Sequence, residues 1–207
     1  MSLQLLKENI PMKCKPFIPL VVVLLVTLPL VPQIHSQSQY LKTPSDTEGP
    51  FYPTDRQADE DNDLVNVRGK SKSAQGDVLY LQGIVLNQKG NPQAGVIIEI
   101  WQTDASGLYR HPRERTQGER DPLFQYWGKA QTDTEGNYHF KTLIPGEYEP
   151  RPPHIHFKVW VDGKAVLTSQ MYIFTDENYR PKVNEQLKLE VVKKSEGDYS
   201  GFFQIVI

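Results

Sequence analysis

Short apolar segments bounded by turn residues are the feature that most restricts the fold of this 207-residue chain. From Asp77 onward, about eight such segments follow one another at fairly regular spacing, and they are rich in β-branched and aromatic residues. No stretch longer than about 12 residues carries a 3.6-residue apolar period, so amphipathic helices are not expected. The pattern predicts an all-β fold, an antiparallel β-sandwich of about eight strands with long ordered loops.

The predicted strands place the folded domain at residues 76–207. They lie at Asp77–Asn87, Gly95–Trp101, Gly128–Thr132, Asn137–Leu143, His154–Val161, Ala165–Phe174, Leu187–Lys193 and Gly201–Ile207. The turn residues Asp133–Gly136, with glycine late in the turn, predict a hairpin between the third and fourth strands. Residues 39–75 are rich in Pro, Asp and Gly, and we expect them to wrap the domain as an N-terminal arm.

The N-terminus has the composition of a targeting segment. Phe17–Val31 is apolar and uncharged, follows three lysines, and precedes Ser36-Gln37-Ser38, which has the small-x-small spacing of a cleavage site. At about 15 residues it is shorter than the ~20 that a membrane-spanning helix needs. Residues 1–38 are therefore predicted to be a signal peptide, which implies export to a periplasm or to the outside of the cell. The alternative is an uncleaved membrane anchor.

Charge and cysteine content exclude several classes of protein. With 23 Lys+Arg and 25 Asp+Glu, the formal net charge is −2, which is unlike the basic surface of a nucleic-acid-binding protein. The single cysteine, Cys14, permits neither an internal disulfide nor a C-x-x-C zinc or redox motif. The chain has no H-E-x-x-H and no G-x-S-x-G, so two common hydrolase chemistries are not indicated.

A pair of histidines on one predicted strand is the first candidate for a functional site. His154 and His156 are two residues apart, so both rings point to the same side of the strand. The residues that alternate with them along the strand are apolar and would face the core: Ile155, Phe157, Val159 and Val161. Two adjacent imidazoles form half of a metal site, but they are equally compatible with two surface or hydrogen-bonded histidines.

Tyrosines are the candidates for the other half of such a site. Tyr148 lies eight residues before His156, and Tyr109 follows the Gly95–Trp101 strand. A phenolate is a hard oxygen donor that suits Fe(III), and coordination would lower the phenol pKa from its free value of ~10. Two tyrosinates and two neutral histidines would leave one positive charge for a bound hydroxide. The alternative for each tyrosine is an amphipathic residue at the edge of the core.

Four ordered segments resemble one enzyme family. They are Trp101–His111, Thr132–Tyr148, Arg151–Phe157 and Leu167–Ile173. Together with Thr47–Tyr52, they are similar, in the same order, to segments of the intradiol ring-cleavage dioxygenases. The similarity runs from about Thr47 to Phe174.

The resemblance implies a non-haem Fe(III) centre with one iron per chain. Tyr109 matches the tyrosine that stays bound to iron, and Tyr148 matches the one that leaves when substrate binds. His154 and His156 match the two histidine ligands of R-P-x-H-I-H. Tyr148 would then also act in catalysis.

Two further residues and the reaction itself are implied in the same way. Arg151 and Gln170 match residues beside the substrate ring. The reaction would cleave a catechol-type ring between its two hydroxylated carbons and incorporate O2, giving a muconate-type diacid. The partners would be a small aromatic diol and O2, without nucleic acid and, once the signal is removed, without a membrane. Members of the family usually associate, so a homo-oligomer is possible.

The chain departs from the family pattern between the second tyrosine and the arginine. Only Glu149 and Pro150 separate Tyr148 from Arg151, whereas the family usually has a longer insertion that shapes the substrate pocket. The ring substituents therefore stay open. Two other functions also stay open: a non-catalytic exported β-sandwich binding module, and a hydrolase or oxidase that holds zinc or copper on the two histidines.

Overall fold

The computed structural model describes residues 39–54, 59–148, 150–174, 182–194 and 197–207. It contains eight strands, β1 (Val78–Leu86), β2 (Ile97–Trp101), β3 (Trp127–Gln131), β4 (Asn137–Leu143), β5 (His154–Val161), β6 (Lys164–Phe174), β7 (Lys188–Lys193) and β8 (Tyr199–Val206), and one 3-10 turn at Glu185–Leu187. The predicted all-β fold with about eight strands is confirmed. The predicted signal peptide, residues 1–38, lies outside the described residues. No described helix has the length and apolar character needed to cross a bilayer.

The eight strands form one mixed sheet in the order β3-β2-β5-β6-β7-β8-β1-β4. The edge strands β3 and β4 contact each other, so the sheet curls into a nearly closed sandwich. Most neighbouring strands are antiparallel, but β1 pairs with β8 and β6 pairs with β7 in parallel. Parallel neighbours cannot be joined by a tight turn. Accordingly, a long connection separates β6 from β7, while β1 and β8 come from opposite ends of the sheet domain.

The predicted hairpin between β3 and β4 is wrong, although the turn itself is present. Asp133 accepts backbone N–H bonds from Glu135 (2.9 Å) and Asn137 (2.8 Å), and Gly136 has φ +79°. However, β3 pairs with β2 and β4 pairs with β1. The turn therefore carries the chain across the sandwich, from the layer that contains β2 and β3 to the layer that contains β1 and β4.

Alternation along β5 divides its residues between the core and the opposite face. Ile155, Phe157 and Val159 are fully buried, as predicted. Phe157 packs edge-on against Phe203 of β8, with ring centroids 5.7 Å apart, so the core fills the space between the two layers. The other side of β5 therefore carries the two histidines.

Truncation of the central core ring should destabilise the fold strongly. We expect Phe157→Ala to lower the free energy of unfolding by about 3–5 kcal/mol, because it removes a fully buried ring and leaves a cavity. Denaturant titration measures this change. Phe202→Ala is the matched control, since Phe202 is 60% exposed on β8 and its loss should cost far less. Equal losses in the two variants would contradict this placement of the core.

Residues 39–54 lie along the sheet as an extended segment. They bond in turn to β8, β6 and β5: Thr43 N to Val206 O (3.0 Å), Asp46 N to Thr168 O (3.1 Å), and Lys158 Nζ to Glu48 Oε2 (2.6 Å). This path brings Phe51 and Tyr52 over the histidine-bearing face of β5, where Tyr52 lies 3.8 Å from the Lys158 ammonium, measured to the ring centroid. The segment thus covers a face of the sheet that would otherwise be open.

Candidate metal centre

Strand register aligns the histidines with residues of both neighbouring strands. On β5, His156 lies opposite Trp101 of β2 on one side and Gln170 of β6 on the other. His154 lies opposite Tyr172 of β6. Directly opposed residues of antiparallel strands point to the same face, so these side chains form two adjacent rows. Trp101 stacks on the His156 ring at 4.9 Å and 6°.

Tyr109 reaches the histidines from the long loop between β2 and β3. Its hydroxyl lies 3.2 Å from His154 Nε2. The other ring nitrogen of His154, Nδ1, lies 2.7 Å from the Pro152 carbonyl. This contact fixes the ring so that Nε2 is the atom directed at Tyr109, which is how the outer hydrogen bond of a metal-binding histidine usually acts.

Tyr148 approaches from the loop between β4 and β5. Its ring lies edge-on to Tyr109, with centroids 5.5 Å apart, and Phe51 contacts both rings at 4.7 and 5.7 Å. Just beyond Tyr148, Arg151 N donates to Tyr148 O at 2.9 Å. The two loops therefore bring both predicted tyrosines to the same place.

The four predicted ligand residues converge. The rings of His154 and His156 are 4.8 Å apart, and that of Tyr109 is 6.1 Å from His156. His154, His156 and Tyr109 are each at most 3% exposed, whereas Tyr148 is only partly buried. The sequence had left open whether these residues were unrelated core and surface residues, and their convergence favours a common site.

Burial controls protonation at these residues. It lowers the pKa of His154 from 6.5 to about 4 and holds the pKa of His156 well below its ordinary value, where the neighbouring His154 and Arg151 act in the same direction. Burial also raises the phenol pKa of both Tyr109 and Tyr148. Both imidazoles are thus neutral and able to donate a lone pair near neutral pH, while the phenols need a nearby cation to ionise.

The donor set fits a ferric ion. Among the described residues, no three His, Cys, Asp or Glu side chains come together, and the side chains that meet here are two imidazoles and two phenols. The Nδ1 atom of His156 is buried without a hydrogen-bond partner in the described part of the chain. A highly charged cation would stabilise the anionic phenolates that burial disfavours. Tyr109, Tyr148, His154 and His156 are the residues that would hold it.

Arg151 is held beside this group by two residues of β6. Its Nη2 donates to Gln170 Oε1 at 2.5 Å and to the Tyr172 hydroxyl at 2.8 Å. Tyr172 in turn donates to Asp46 at 2.8 Å, and Gln170 Nε2 donates to the Thr47 carbonyl at 2.7 Å. The guanidinium is therefore a fixed positive charge at the edge of the candidate centre.

Sequence reasoning assigned no role to Trp101 or Tyr172, although both contact the site. Tyr172 lies two residues after Gln170, so the period of a strand could have placed it on the same face. Trp101 could not be found in this way, because its stacking on His156 depends on the pairing of β2 with β5.

The metal-free protein should lose stability on acidification. The folded-state pKa of His154 is about 4, below the ordinary value of 6.5. Between pH 4 and pH 6.5 the unfolded chain therefore binds more protons than the folded chain. The resulting stability is fully present above pH 6.5 and is lost as the pH falls towards 4, by up to about 1.4 kcal/mol per pH unit for each such histidine. Urea titrations of chelator-treated protein at successive pH values measure the slope.

Two variants test whether the buried histidine causes that slope. His154→Asn should reduce it, and His139→Gln, at an exposed position on β4, is the control that should keep it. A slope that His154→Asn leaves unchanged would contradict the assignment.

Comparison with known proteins identifies the family of the chain. A family model described as Dioxygenase matches residues 47–152, just over half of the chain. The protocatechuate 3,4-dioxygenase beta chain of Burkholderia cepacia is 35% identical over 136 residues, which cover 61% of this chain and 57% of that protein. The chain belongs to the intradiol ring-cleavage dioxygenase family. The family resemblance inferred from the sequence is confirmed.

Two other similar proteins show how far the likeness to intradiol dioxygenases extends. Chlorocatechol 1,2-dioxygenase of Pseudomonas putida is 32% identical over 112 residues, covering 45% of this chain and 41% of that protein. The dioxygenase domain of a dioxygenase carbohydrate-binding protein fusion from Streptomyces sp. SirexAA-E has a TM-score of 0.65 at 28% identity, covering 80% of this chain and 97% of that domain. The chain spans about half the length of the curated relatives it matches.

Proposed function

We propose that this intradiol dioxygenase homologue is a non-haem Fe(III) enzyme with one iron per chain, which cleaves a catechol-type ring between its two hydroxylated carbons. Both atoms of O2 enter the product, a muconate-type diacid, so no external reductant is needed. The observation that carries the proposal is the convergence of Tyr109 on His154, with a 3.2 Å contact from the phenol oxygen to Nε2, beside Tyr148 and a fixed arginine.

The chain divides the tasks of this reaction among residues with different exposure. When bound, ferric iron supplies Lewis acidity and a template for the diol and O2. Buried Tyr109, with Phe51 against its ring, is placed to stay as a ligand. Tyr148 is more exposed, so it is the phenol that can move aside for substrate. Burial raises the pKa of Tyr148 in the absence of metal, so its phenolate oxygen, once it has moved aside, would be a base able to take a proton from the diol.

The surrounding residues orient the substrate and stabilise charge. Arg151, anchored by Gln170 and Tyr172, is placed to stabilise negative charge that develops on the ring during oxygen attack. Gln170 acts by orienting this arginine or the ring. Trp101 and Phe51 exclude water from the metal-facing side, which strengthens these electrostatic interactions.

Oxygen uptake with a panel of small catechols tests the reaction. The expected result is stoichiometric O2 consumption and a ring-opened diacid that carries both labelled atoms after reaction under ¹⁸O2. A product with one aldehyde and one acid would contradict cleavage between the hydroxylated carbons. If none of the catechols is consumed by the iron-loaded protein, the binding-module alternative would replace the enzyme.

The optical spectrum tests the ligand set independently of turnover. Protein with one iron per chain should be burgundy-red from tyrosinate-to-iron charge transfer. A colourless protein with stoichiometric iron would overturn the assignment of the tyrosines as ligands. Zinc or copper at the site in place of iron would favour the hydrolase or oxidase alternative.

We further propose export and a layout of three segments: a signal peptide at 1–38, an arm at 39–75, and a catalytic β-sandwich at 76–207. The uncharged Phe17–Val31 run after three lysines supports the first segment. Expression of the full chain with mass analysis of the secreted form tests it. A protein that keeps its first 38 residues and sediments with membranes would instead be anchored. Size measurement in solution tests association into a homo-oligomer.

A further inference from the structure

The two loops that carry the candidate tyrosine ligands are bonded to each other through their backbones. Gly146 N donates to Asp104 O at 2.9 Å. Gly107 has φ +81°, and a Cβ atom at this glycine would lie 2.2 Å from the Glu147 carbonyl oxygen, so no larger residue fits there. Tyr109 and Tyr148 each follow this junction by two residues. The distance between the two phenols therefore depends on how the junction is held.

Asp104 lies at the centre of the junction. Its side chain is buried, and the residue is 1% exposed. The carboxylate accepts four hydrogen bonds, from Ser106 N (2.9 Å) and Leu108 N (3.1 Å) at Oδ1 and from Asp121 N (3.1 Å) and the Tyr126 hydroxyl (2.7 Å) at Oδ2. Its backbone N–H also donates to the Leu108 carbonyl at 3.0 Å. Asp104 thus binds Leu108, the neighbour of Tyr109, through both its side chain and its backbone N–H. It binds Gly146 in the Tyr148 loop through its backbone carbonyl.

Tyr126 adopts an unusual backbone conformation at this place. Its φ is +60°, in the left-handed region that bulky residues rarely enter. Such conformations persist only where surrounding contacts enforce them, and they concentrate at functional sites. Tyr126 immediately precedes β3, accepts a bond from Gln102 N at its carbonyl (3.2 Å), and packs edge-on against Phe124. In this conformation the Tyr126 hydroxyl donates to the Asp104 carboxylate.

We propose that Asp104, held by the Tyr126 hydroxyl, is a positioning residue that sets the placement of Tyr109 relative to Tyr148. The proposal rests on the proposed function, because it concerns the geometry of the two phenols around iron. Neither residue touches the reacting atoms. Their effect is on ligand placement, to which catalysis is sensitive, since a misplacement of about 1 Å can cost about 100-fold in rate.

Two buried tyrosines allow a matched comparison. Tyr126→Phe removes the hydroxyl bond to Asp104. Tyr138→Phe removes the hydroxyl of another buried tyrosine, which donates to the Phe203 carbonyl at 2.8 Å and packs edge-on against Phe140. Both variants lose one buried hydrogen bond and the same atoms, and thermal unfolding measures the stability that each loses; the loss should be larger for Tyr126→Phe, because its acceptor is a carboxylate. The Tyr138 hydroxyl bonds to β8 rather than to Asp104, so this variant controls for the loss of a buried tyrosine hydroxyl.

The readouts are iron content, the charge-transfer band and kcat of the purified iron-loaded proteins. Tyr126→Phe should keep its iron, shift the band and lower kcat by roughly 10- to 100-fold. Tyr138→Phe should keep the wild-type band and kcat. Asp104→Asn should shift the band further, because its amide nitrogen would face the donors at Tyr126 and Asp121, but Tyr126→Phe decides the test if this variant does not fold.

The outcomes separate this inference from the proposed function. Iron-loaded wild-type protein without the band would overturn the proposed ligand set, and the inference with it. A wild-type band that is unchanged in Tyr126→Phe, or shifted equally in Tyr126→Phe and Tyr138→Phe, would overturn the positioning role alone. A shift confined to Tyr126→Phe supports it.

Discussion

Replacing Arg151 with alanine should lower kcat by about 10²–10³-fold while iron and its colour remain. The guanidinium is anchored by Gln170 at 2.5 Å and by Tyr172 at 2.8 Å. Arg151 is not one of the four proposed iron ligands, so its loss should leave the iron in place. Its loss would remove the preorganised positive charge to which we assign stabilisation of the reacting ring. Removal of one preorganised donor of this kind typically costs about 2.7–4 kcal/mol in the barrier. Steady-state oxygen uptake with the preferred catechol measures the change.

The control is an arginine outside the site. Arg115 is exposed in the loop between β2 and β3, so Arg115→Ala should leave kcat near the wild-type value. Metal analysis and the visible spectrum of Arg151→Ala must match those of the wild type. An unchanged kcat in Arg151→Ala would remove its assigned role, and a loss of iron together with kcat would move that role to metal binding.

Tyr109→Phe should abolish the charge-transfer colour or shift it strongly. Its hydroxyl oxygen lies 3.2 Å from His154 Nε2. Because burial raises the pKa of this phenol, it would ionise near neutral pH only next to a bound cation. Phenylalanine keeps the contacts with Phe51 and Tyr148 but offers no oxygen donor. We expect weaker iron binding and almost complete loss of turnover.

Absorption spectra at matched iron content measure this effect. Tyr80→Phe is the control, because Tyr80 is a partly exposed tyrosine on β1 whose hydroxyl is not part of the site. If Tyr109→Phe kept the full wild-type band while Tyr148→Phe lost it, the bound phenol would be Tyr148 alone. A wild-type band in both variants would remove the tyrosines from the ligand set.

The strands were predictable because their signal is local. Apolar and β-branched runs between turn residues placed all eight strands to within two residues of their observed bounds. Strand pairing was less predictable, as the Asp133–Gly136 turn shows. Its residues specify a tight turn, but they do not specify whether the next strand returns beside β3 or crosses to the other layer.

The histidines and the tyrosines of the candidate site were recognised from different kinds of sequence signal. The period of two along β5 put His154 and His156 on one face and Phe157 on the other, without any knowledge of the neighbouring strands. The tyrosines were candidates from their positions alone, but only the family resemblance gave them roles, since a phenol at the edge of a core and a phenol that binds metal look alike in sequence. Asp104 and Tyr126 gave no sequence signal, because their importance lies in a backbone conformation and in a contact between loops.

The sequence by itself determined the all-β class, the number of strands and the shared face of the two histidines, because these follow from side-chain alternation within single segments. Only the tertiary structure decided that Tyr109 meets His154, that Trp101 stacks on His156 and that Arg151 is held by β6. Those contacts join residues from separate strands and loops. Their geometry is set by sheet register and loop packing, which depend on the whole folded domain.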